Sequence, residues 1–171
     1  MTVRLVPFAD EHVDPMERTI VDDAILRFTG IPVPTPPGWV QLWRKRFIEE
    51  DREHWAIVDG EEFAGYAVTG PLDREGLQVE LGYAVSPWAR GRGIATAALD
   101  LLTRWALDAG FLRLTLLIDT ENVASQRVAE KAGYTYEGTH RSMPHKNGER
   151  VDLQCWSLLP GDLGGPRGQH G

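Results

Sequence analysis

The chain has 171 residues, 42% hydrophobic and 25% charged, which is the composition of one globular domain with its own core. No apolar run is long enough to span a membrane, and no signal peptide is visible, so we expect neither a membrane protein nor an exported one. The formal net charge of −7 argues against nucleic-acid binding, which needs a basic surface. The single cysteine, Cys155, excludes an internal disulfide and fits a reducing cytoplasm, which is the expected location.

Apolar periodicity and turn residues predict the elements of the first half of the chain. In order, these are a strand (3–6), a helix (14–28), a proline-rich loop (30–38), a helix (39–50) and three strands (54–58, 62–69 and 77–85). Residues 1–80 carry 8 Lys/Arg and 16 Asp/Glu, a balance of 8 − 16 = −8. This acidic half would suit a cationic amine, although an ordinary solvated face explains it equally well.

The second half alternates helix and strand. A helix after residue 93 shows a predicted core face of Ile94, Ala98, Leu101, Leu102, Trp105 and Ala109. A strand at 112–118, a short helix, a hairpin loop at 138–150 and a strand at 151–159 follow. We therefore predict a mixed α/β (α+β) fold with one domain at 1–160, and a disordered glycine-rich tail at 161–171.

Residues 79–96 are the most informative segment. A strand ends near Pro87, and the chain turns through two glycines into the helix, which exposes backbone N–H groups at a helix N-terminus. Glycine lets backbone approach a phosphate closely. The segment therefore predicts a phosphate-bearing cofactor, held by the amides of residues 91–96 with two arginines adding positive charge. The residues concerned are Arg90, Gly91, Arg92, Gly93, Ile94, Ala95 and Thr96.

Two motifs carry a family resemblance. Arg90-x-x-Gly93-x-Ala95 resembles the acyl-CoA-binding motif of the GNAT superfamily of N-acetyltransferases. Further along, Asn122-x-x-Ser125 and the segment 128–134, which ends in Gly-Tyr, resemble the second conserved block of that superfamily. The Asn-x-x-Ser pattern is similar to the branch of ribosomal-protein N-terminal acetyltransferases. The resemblance extends over about residues 3–159.

The resemblance implies a mostly antiparallel central sheet with flanking helices and transfer of an acetyl group from acetyl-CoA to a primary amine. It places the pantetheine arm beside the backbone of Ala84 and Val85, with the Val85 N–H at the thioester oxygen. Asn122 would contact the pantetheine amide. The place of the family's catalytic tyrosine is occupied by Ala129, which cannot donate a proton, so Ser125 is the implied acid near the sulfur. A helix cap is the alternative role for Asn122 and Ser125.

Glu80 is the candidate general base, because an attacking amine must lose a proton. It lies in an otherwise apolar strand before Val85, where burial would raise its pKa towards a useful range. A surface glutamate on the strand edge is the alternative. Trp39, Trp43, Trp55 and Trp88 are candidates to line an acceptor pocket, and a core position is the favoured alternative for Trp43, which lies on the apolar face of its helix.

Three other interpretations stay open. A dinucleotide-binding turn would need Gly or Ala where Thr96 stands, and NAD would be its ligand. A non-catalytic acyl-CoA sensor of the same fold, or an enzyme that uses succinyl-CoA or a longer acyl-CoA, would keep the same cofactor turn. No His, Cys or Asp spacing indicates a metal site. The acceptor could be a protein N-terminus or a small-molecule amine, and a homodimer is the default expectation.

Overall fold

The computed structural model describes residues 1–163 as one seven-stranded sheet covered by helices on both faces. The strands are β1 Val3–Pro7, β2 His54–Asp59, β3 Glu62–Thr69, β4 Gln78–Val85, β5 Arg113–Asp119, β6 Thr135–Pro144 and β7 Arg150–Leu158. The helices are α1 Val13–Thr19, α2 Asp23–Phe28, α3 Trp39–Glu49, α4 Ile94–Asp108 and α5 Val123–Lys131. No helix in this part of the chain is long and apolar enough to cross a membrane. Most of the tail predicted to be disordered, from residue 164 onward, lies outside the described residues.

The strands are ordered β1-β2-β3-β4-β5-β7-β6, and only β4 and β5 run parallel. All other neighbours are antiparallel, so the predicted mixed, mostly antiparallel sheet is confirmed. The parallel pair is short, since only Gln78–Glu80 of β4 align with β5. Residues 81–85 pair with β3 alone, and the sheet therefore opens into a split beyond Glu80.

The sheet separates two apolar cores. One lies beneath α4 and α5 and contains the fully buried Leu99, Leu102 and Leu114. The other lies beneath α1 to α3 and contains Met16 and Val40. Strand β4 contributes to both, because successive side chains on a strand point to opposite faces. Each face of the sheet therefore packs against its own apolar core.

Three predicted elements differ from the structure. The helix predicted at 14–28 is two short helices, because the chain breaks after Thr19 and Asp22 caps the second through the Ile25 N–H. The predicted hairpin loop at 138–150 is mostly strand, with only a short turn at Lys146–Gly148. The buried face of α4 includes Leu99, Thr103 and Ala106 and leaves Ala109 exposed, because β1 and β4 pack against this helix.

Candidate functional site

Two cavities meet at the split between β4 and β5. One, of about 580 Å³, runs along the α4 N-terminus. The other, of about 660 Å³, lies between the sheet and α3. Five residues line both: Phe28, Thr29, Tyr83, Asn122 and Ser125. Molecules bound in the two cavities would therefore meet at this junction.

The glycine-rich turn has the backbone geometry on which the predicted anion site depends. Gly91 and Gly93 adopt positive φ angles of 76° and 74°, conformations that other residues rarely adopt. Gly93 is the N-cap of α4 and offers no side chain to the helix, and the first backbone bond of this helix is from Ala97 N to Gly93 O. The N–H groups of Ile94, Ala95 and Thr96 therefore have no intrahelical acceptor. Together with the helix dipole, they make the end of the first cavity favourable for phosphate.

The two arginines of the turn are engaged with acidic side chains. Arg90 forms a bidentate pair with Asp22, at 2.5 Å and 3.1 Å, and this hydrogen bonding holds the pKa of Asp22 below its usual value. Arg92 pairs with Glu62 at 2.6 Å. Because Asp22 also caps α2, its ion pair with Arg90 connects the glycine-rich turn to a helix that lines the first cavity.

The exposed edge of β4 is set by the alternation of its backbone groups. Glu80 O accepts from Gly70 N, and Ser86 N donates to Ala64 O, so the even-numbered residues between them face β3. The backbone groups of Tyr83 and Val85 consequently face the split, as predicted for Val85. Ala84 lines the first cavity, but its backbone groups point to β3. Of the two residues predicted to pair with a pantetheine arm, Val85 has backbone groups that face the split, whereas those of Ala84 are engaged with β3.

Glu80 lies in the second cavity, on the sheet face covered by α3. Its side chain is exposed to solvent, yet the protein atoms around it displace water from the carboxylate. This loss of hydration raises its pKa above that of an ordinary glutamate. The positive charge of Arg52 acts in the opposite direction and lowers the pKa. Glu80 is the one glutamate among the residues lining either cavity in residues 1–163.

The α5 N-terminus supplies the opposite wall of the junction. Asn122 is the helix N-cap, and its Oδ1 accepts from Ser125 N at 3.3 Å, so the capping role is present. Asn122 nevertheless lines both cavities, as does Ser125. Ala129, at the place of the family's tyrosine, is fully buried in the core. Ser125 is therefore the residue of this helix that brings a hydroxyl to the junction.

Tyr83 is a site residue that sequence reasoning missed. Its hydroxyl is buried, has no hydrogen-bond partner in the described part of the chain, and lies at the junction of the cavities. Burial raises the pKa of this hydroxyl, and the nearby Ser125 partly offsets the rise, although the two groups do not reach hydrogen-bond geometry. The signal in the sequence was its position two residues before Val85, on the same edge and face of the strand.

The cysteine, the tryptophans and possible metal ligands were also considered from the sequence. Cys155 is buried in β7, and burial raises the pKa of its thiol. Trp39 lines the second cavity, and so does Trp43, which is also buried in the core, whereas Trp55 and Trp88 line neither cavity. Within residues 1–163, no group of three or more His, Cys, Asp or Glu side chains is arranged to hold a metal ion.

Comparison with known proteins identifies the family. The model of the acetyltransferase (GNAT) domain matches residues 2–135. The Bacillus subtilis protein YdaF, named "putative ribosomal N-acetyltransferase", is 30% identical over 133 residues, which are 72% of each chain.

Solved structures show the same fold. The spermidine N-acetyltransferase of Vibrio cholerae, in complex with CoA and spermine, superimposes with a TM-score of 0.83 at 13% identity, covering 94% of this chain and 96% of that one. The ribosomal L7/L12 α-N-protein acetyltransferase RimL, in complex with coenzyme A, gives a TM-score of 0.80 at 20% identity over 93% and 94%. The chain therefore belongs to the GNAT family and is an acyl-CoA-dependent N-acyltransferase.

Proposed function

We propose that the protein transfers an acetyl group from acetyl-CoA to a primary amine by direct attack on the thioester. The observation that carries the proposal is the meeting of the two cavities at the β4–β5 split, where Tyr83, Asn122 and Ser125 line both. A cofactor in one cavity and an amine in the other would be brought into contact there. Holding two reactants in attack geometry supplies much of the catalysis for an already activated thioester.

Backbone groups of the chain would bind the pyrophosphate, the pantetheine arm and the thioester of acetyl-CoA. The unpaired amides of residues 94–96 and the glycines of the turn would take the pyrophosphate. The free edge of β4 would hydrogen-bond with the pantetheine arm as an added strand does, and the Val85 N–H would donate to the thioester oxygen. Structural neighbours that bind CoA and acetyl-CoA support this choice of cofactor.

Glu80 would receive the proton of the attacking amine, directly or through a water molecule. A carboxylate with a raised pKa is a stronger base than an ordinary glutamate, because it holds an added proton more tightly. The neutral amine nitrogen then attacks the carbonyl carbon, a C–N bond forms, and the C–S bond breaks. Glu80 faces the second cavity, on the acceptor side of the split.

Coenzyme A leaves as a thiolate, which needs little help because an ordinary thiol has a pKa of roughly 8.5. Ser125 and Tyr83 are the hydroxyl groups at the junction that can donate a hydrogen bond to the sulfur. They would stabilise the thiolate until it takes a proton. This pair would replace the tyrosine whose place is held by Ala129.

The acceptor of this reaction is a protein N-terminus or a small-molecule amine. Relatives and neighbours named for ribosomal-protein and spermidine acetylation support both kinds. A cytoplasmic location and a homodimer remain predictions, which fractionation and light scattering of the purified protein would test.

The test is release of free thiol from acetyl-CoA in the presence of a panel of amines. We expect amine-dependent release by the native protein and a loss of about a hundredfold in turnover for Glu80→Gln, because general bases contribute on this order. The acetyl-CoA Kd should stay within twofold in this variant, since Glu80 lines only the acceptor cavity. Undiminished turnover of Glu80→Gln would remove this residue from the mechanism, and no release with any amine would refute the proposed function.

A further inference from the structure

Arg52 lines the second cavity, as Glu80 does, and three contacts fix its guanidinium group. Its Nε donates to Thr69 O at 3.0 Å, its Nη1 donates to Glu50 Oε2 at 3.1 Å, and the group lies 4.2 Å from the centre of the Phe47 ring. The side chain is 23% exposed. Because a long side chain held in this way loses most of its rotamer freedom, the positive charge of Arg52 stays in one place at the cavity wall.

The pairing of β3 with β4 brings this charge near Glu80. The carbonyl that accepts from Arg52 belongs to Thr69, and the next residue, Gly70, donates from its N–H to Glu80 O at 2.9 Å. The Glu80 side chain lies over the same glycine, since a Cβ at Gly70 would be 3.3 Å from the Glu80 Cβ and 3.9 Å from its Oε2. Two opposing effects therefore act on this carboxyl: burial raises the pKa of Glu80, and the positive charge of Arg52 lowers it.

Arg52 is nevertheless not paired with Glu80. Within residues 1–163 its ion-pair partner is Glu50, which also accepts from Arg46 Nε at 2.7 Å. These two hydrogen bonds hold the pKa of Glu50 below its usual value, so Glu50 stays charged and keeps its hold on Arg52. A direct pair between Arg52 and Glu80 would occupy the carboxylate that an amine needs. The partner carboxylate of Glu50 thus keeps Arg52 out of contact with Glu80 while its charge still acts through space.

The remaining charged or titratable side chains around Glu80 come from α3, β3, β4 and β5. Those that line the cavity with it are Arg46, Tyr66, Tyr83 and Asp119. Burial raises the pKa of both tyrosines, which are therefore neutral at physiological pH. Asp119 is negative and would oppose Arg52, and the Arg46 side chain is 70% exposed, so water screens its charge. Arg52 is therefore the cation whose charge lowers the pKa of Glu80.

We propose that Arg52 is a positioning residue of the transfer reaction, whose fixed guanidinium keeps Glu80 ionised and yet free to take the proton of the amine. The inference rests on the proposed function, because Glu80 is the base of that reaction. Burial alone would favour the neutral acid, which cannot accept a proton. A direct ion pair would have the opposite fault, since it would block the carboxylate and weaken it as a base. A cation held nearby by another partner avoids both.

The first experiment follows the ionisation of Glu80 itself. The protein is labelled with isotope-enriched glutamate, and NMR records the Glu80 carboxyl signal against pH, with Glu80→Gln to assign it. In Arg52→Gln the midpoint should move to higher pH. The ratio of neutral to ionised Glu80 at the native midpoint should rise about threefold, as expected when one charge is lost near a partly solvated site. An unmoved midpoint in folded Arg52→Gln would overturn the inference.

Two further variants test the direction of the effect. Glu50→Gln leaves the charge of Arg52 without its partner, so the midpoint should move to lower pH, opposite to that of Arg52→Gln. This variant keeps Arg52 and therefore tests the inference even if Arg52→Gln does not fold. Arg46→Gln is the matched control, because it removes the other arginine bound to Glu50 and should leave the midpoint in place. An unchanged or raised midpoint in Glu50→Gln, or a shift in Arg46→Gln as large as that in Arg52→Gln, would overturn the inference.

The second experiment links this ionisation to turnover. Thiol release from acetyl-CoA is recorded against pH with butylamine, spermidine and a short peptide with a free N-terminus. For each acceptor that reacts, the acidic limb of kcat/KM should move to higher pH in Arg52→Gln and to lower pH in Glu50→Gln. A limb that is lost in Glu80→Gln but does not move in Arg52→Gln would refute the inference alone. No release with any of the three acceptors would refute the proposed function, and the role of Arg52 would fall with it.

Discussion

Removal of one oxygen atom from Tyr83 should make the protein more stable and less active. The Tyr83 hydroxyl is buried without a hydrogen-bond partner in the described residues, and such a group costs about 1–3 kcal/mol of the free energy of unfolding. The nearby Ser125 eases this cost, which places the expected gain for Tyr83→Phe at the low end, about 1 kcal/mol. For a domain of this size, that gain raises Tm by about 2–4 °C.

Turnover should move the other way. If the hydroxyl donates a hydrogen bond to the departing sulfur, Tyr83→Phe loses that stabilisation in the transition state and kcat falls by about tenfold. The acetyl-CoA Kd should change by less than twofold, because the ring that lines both cavities is retained. Urea unfolding and thiol release on the same preparation measure both effects.

Tyr134→Phe is the control. The Tyr134 hydroxyl is also buried, but it hydrogen-bonds the Thr103 hydroxyl at 2.8 Å. Its removal should therefore lower the free energy of unfolding by about 1 kcal/mol and leave kcat unchanged. If Tyr83→Phe were destabilised to the same extent as Tyr134→Phe and turned over normally, Tyr83 would be an ordinary packing residue and the reasoning would be refuted.

Three further changes test other parts of the site. The pH profile of kcat/KM should show an acidic limb above the pKa of an ordinary glutamate, because Glu80 must be deprotonated and its pKa is raised; a limb retained in Glu80→Gln would contradict this. Gly65→Ala should give little folded protein by circular dichroism, since its Cβ would lie 2.1 Å from Ala84 O; a native Tm would contradict this. Lys146→Met should raise the acceptor KM several-fold, since Lys146 Nζ donates to Ile31 O at 2.8 Å and so holds a cavity wall; an unchanged KM would contradict this.

The conformation of the glycine-rich turn could be predicted from the sequence because its geometry is local. Two glycines at positive φ followed by a helix N-terminus are determined by adjacent residues, and the structure has Gly91 and Gly93 in these conformations. The central strands were predicted for the same reason, since alternation is a property of a few consecutive residues. The glycine-rich turn also carried one of the two motifs of the family resemblance.

Features built from distant residues were beyond sequence reasoning. Asp22 and Arg90 are 68 residues apart, and no local pattern reveals that they pair. The backbone groups that face the split depend on the register of β4 against β3 and on where β5 diverges from β4. The sequence therefore could not reveal that Val85, and not Ala84, faces the split. Tyr83 could not be singled out from the sequence, because the lack of a hydrogen-bond partner for its buried hydroxyl depends on the packing around it.

The most direct test of the central claim is calorimetric titration of the protein with acetyl-CoA, beside NAD as the control ligand. We expect one acetyl-CoA per chain with a micromolar Kd and no heat from NAD, because we propose that the split holds the pantetheine arm and because the turn lacks the dinucleotide pattern at Thr96. Absence of acetyl-CoA binding, or binding of NAD instead, would contradict the assignment of the turn and of the reaction built on it.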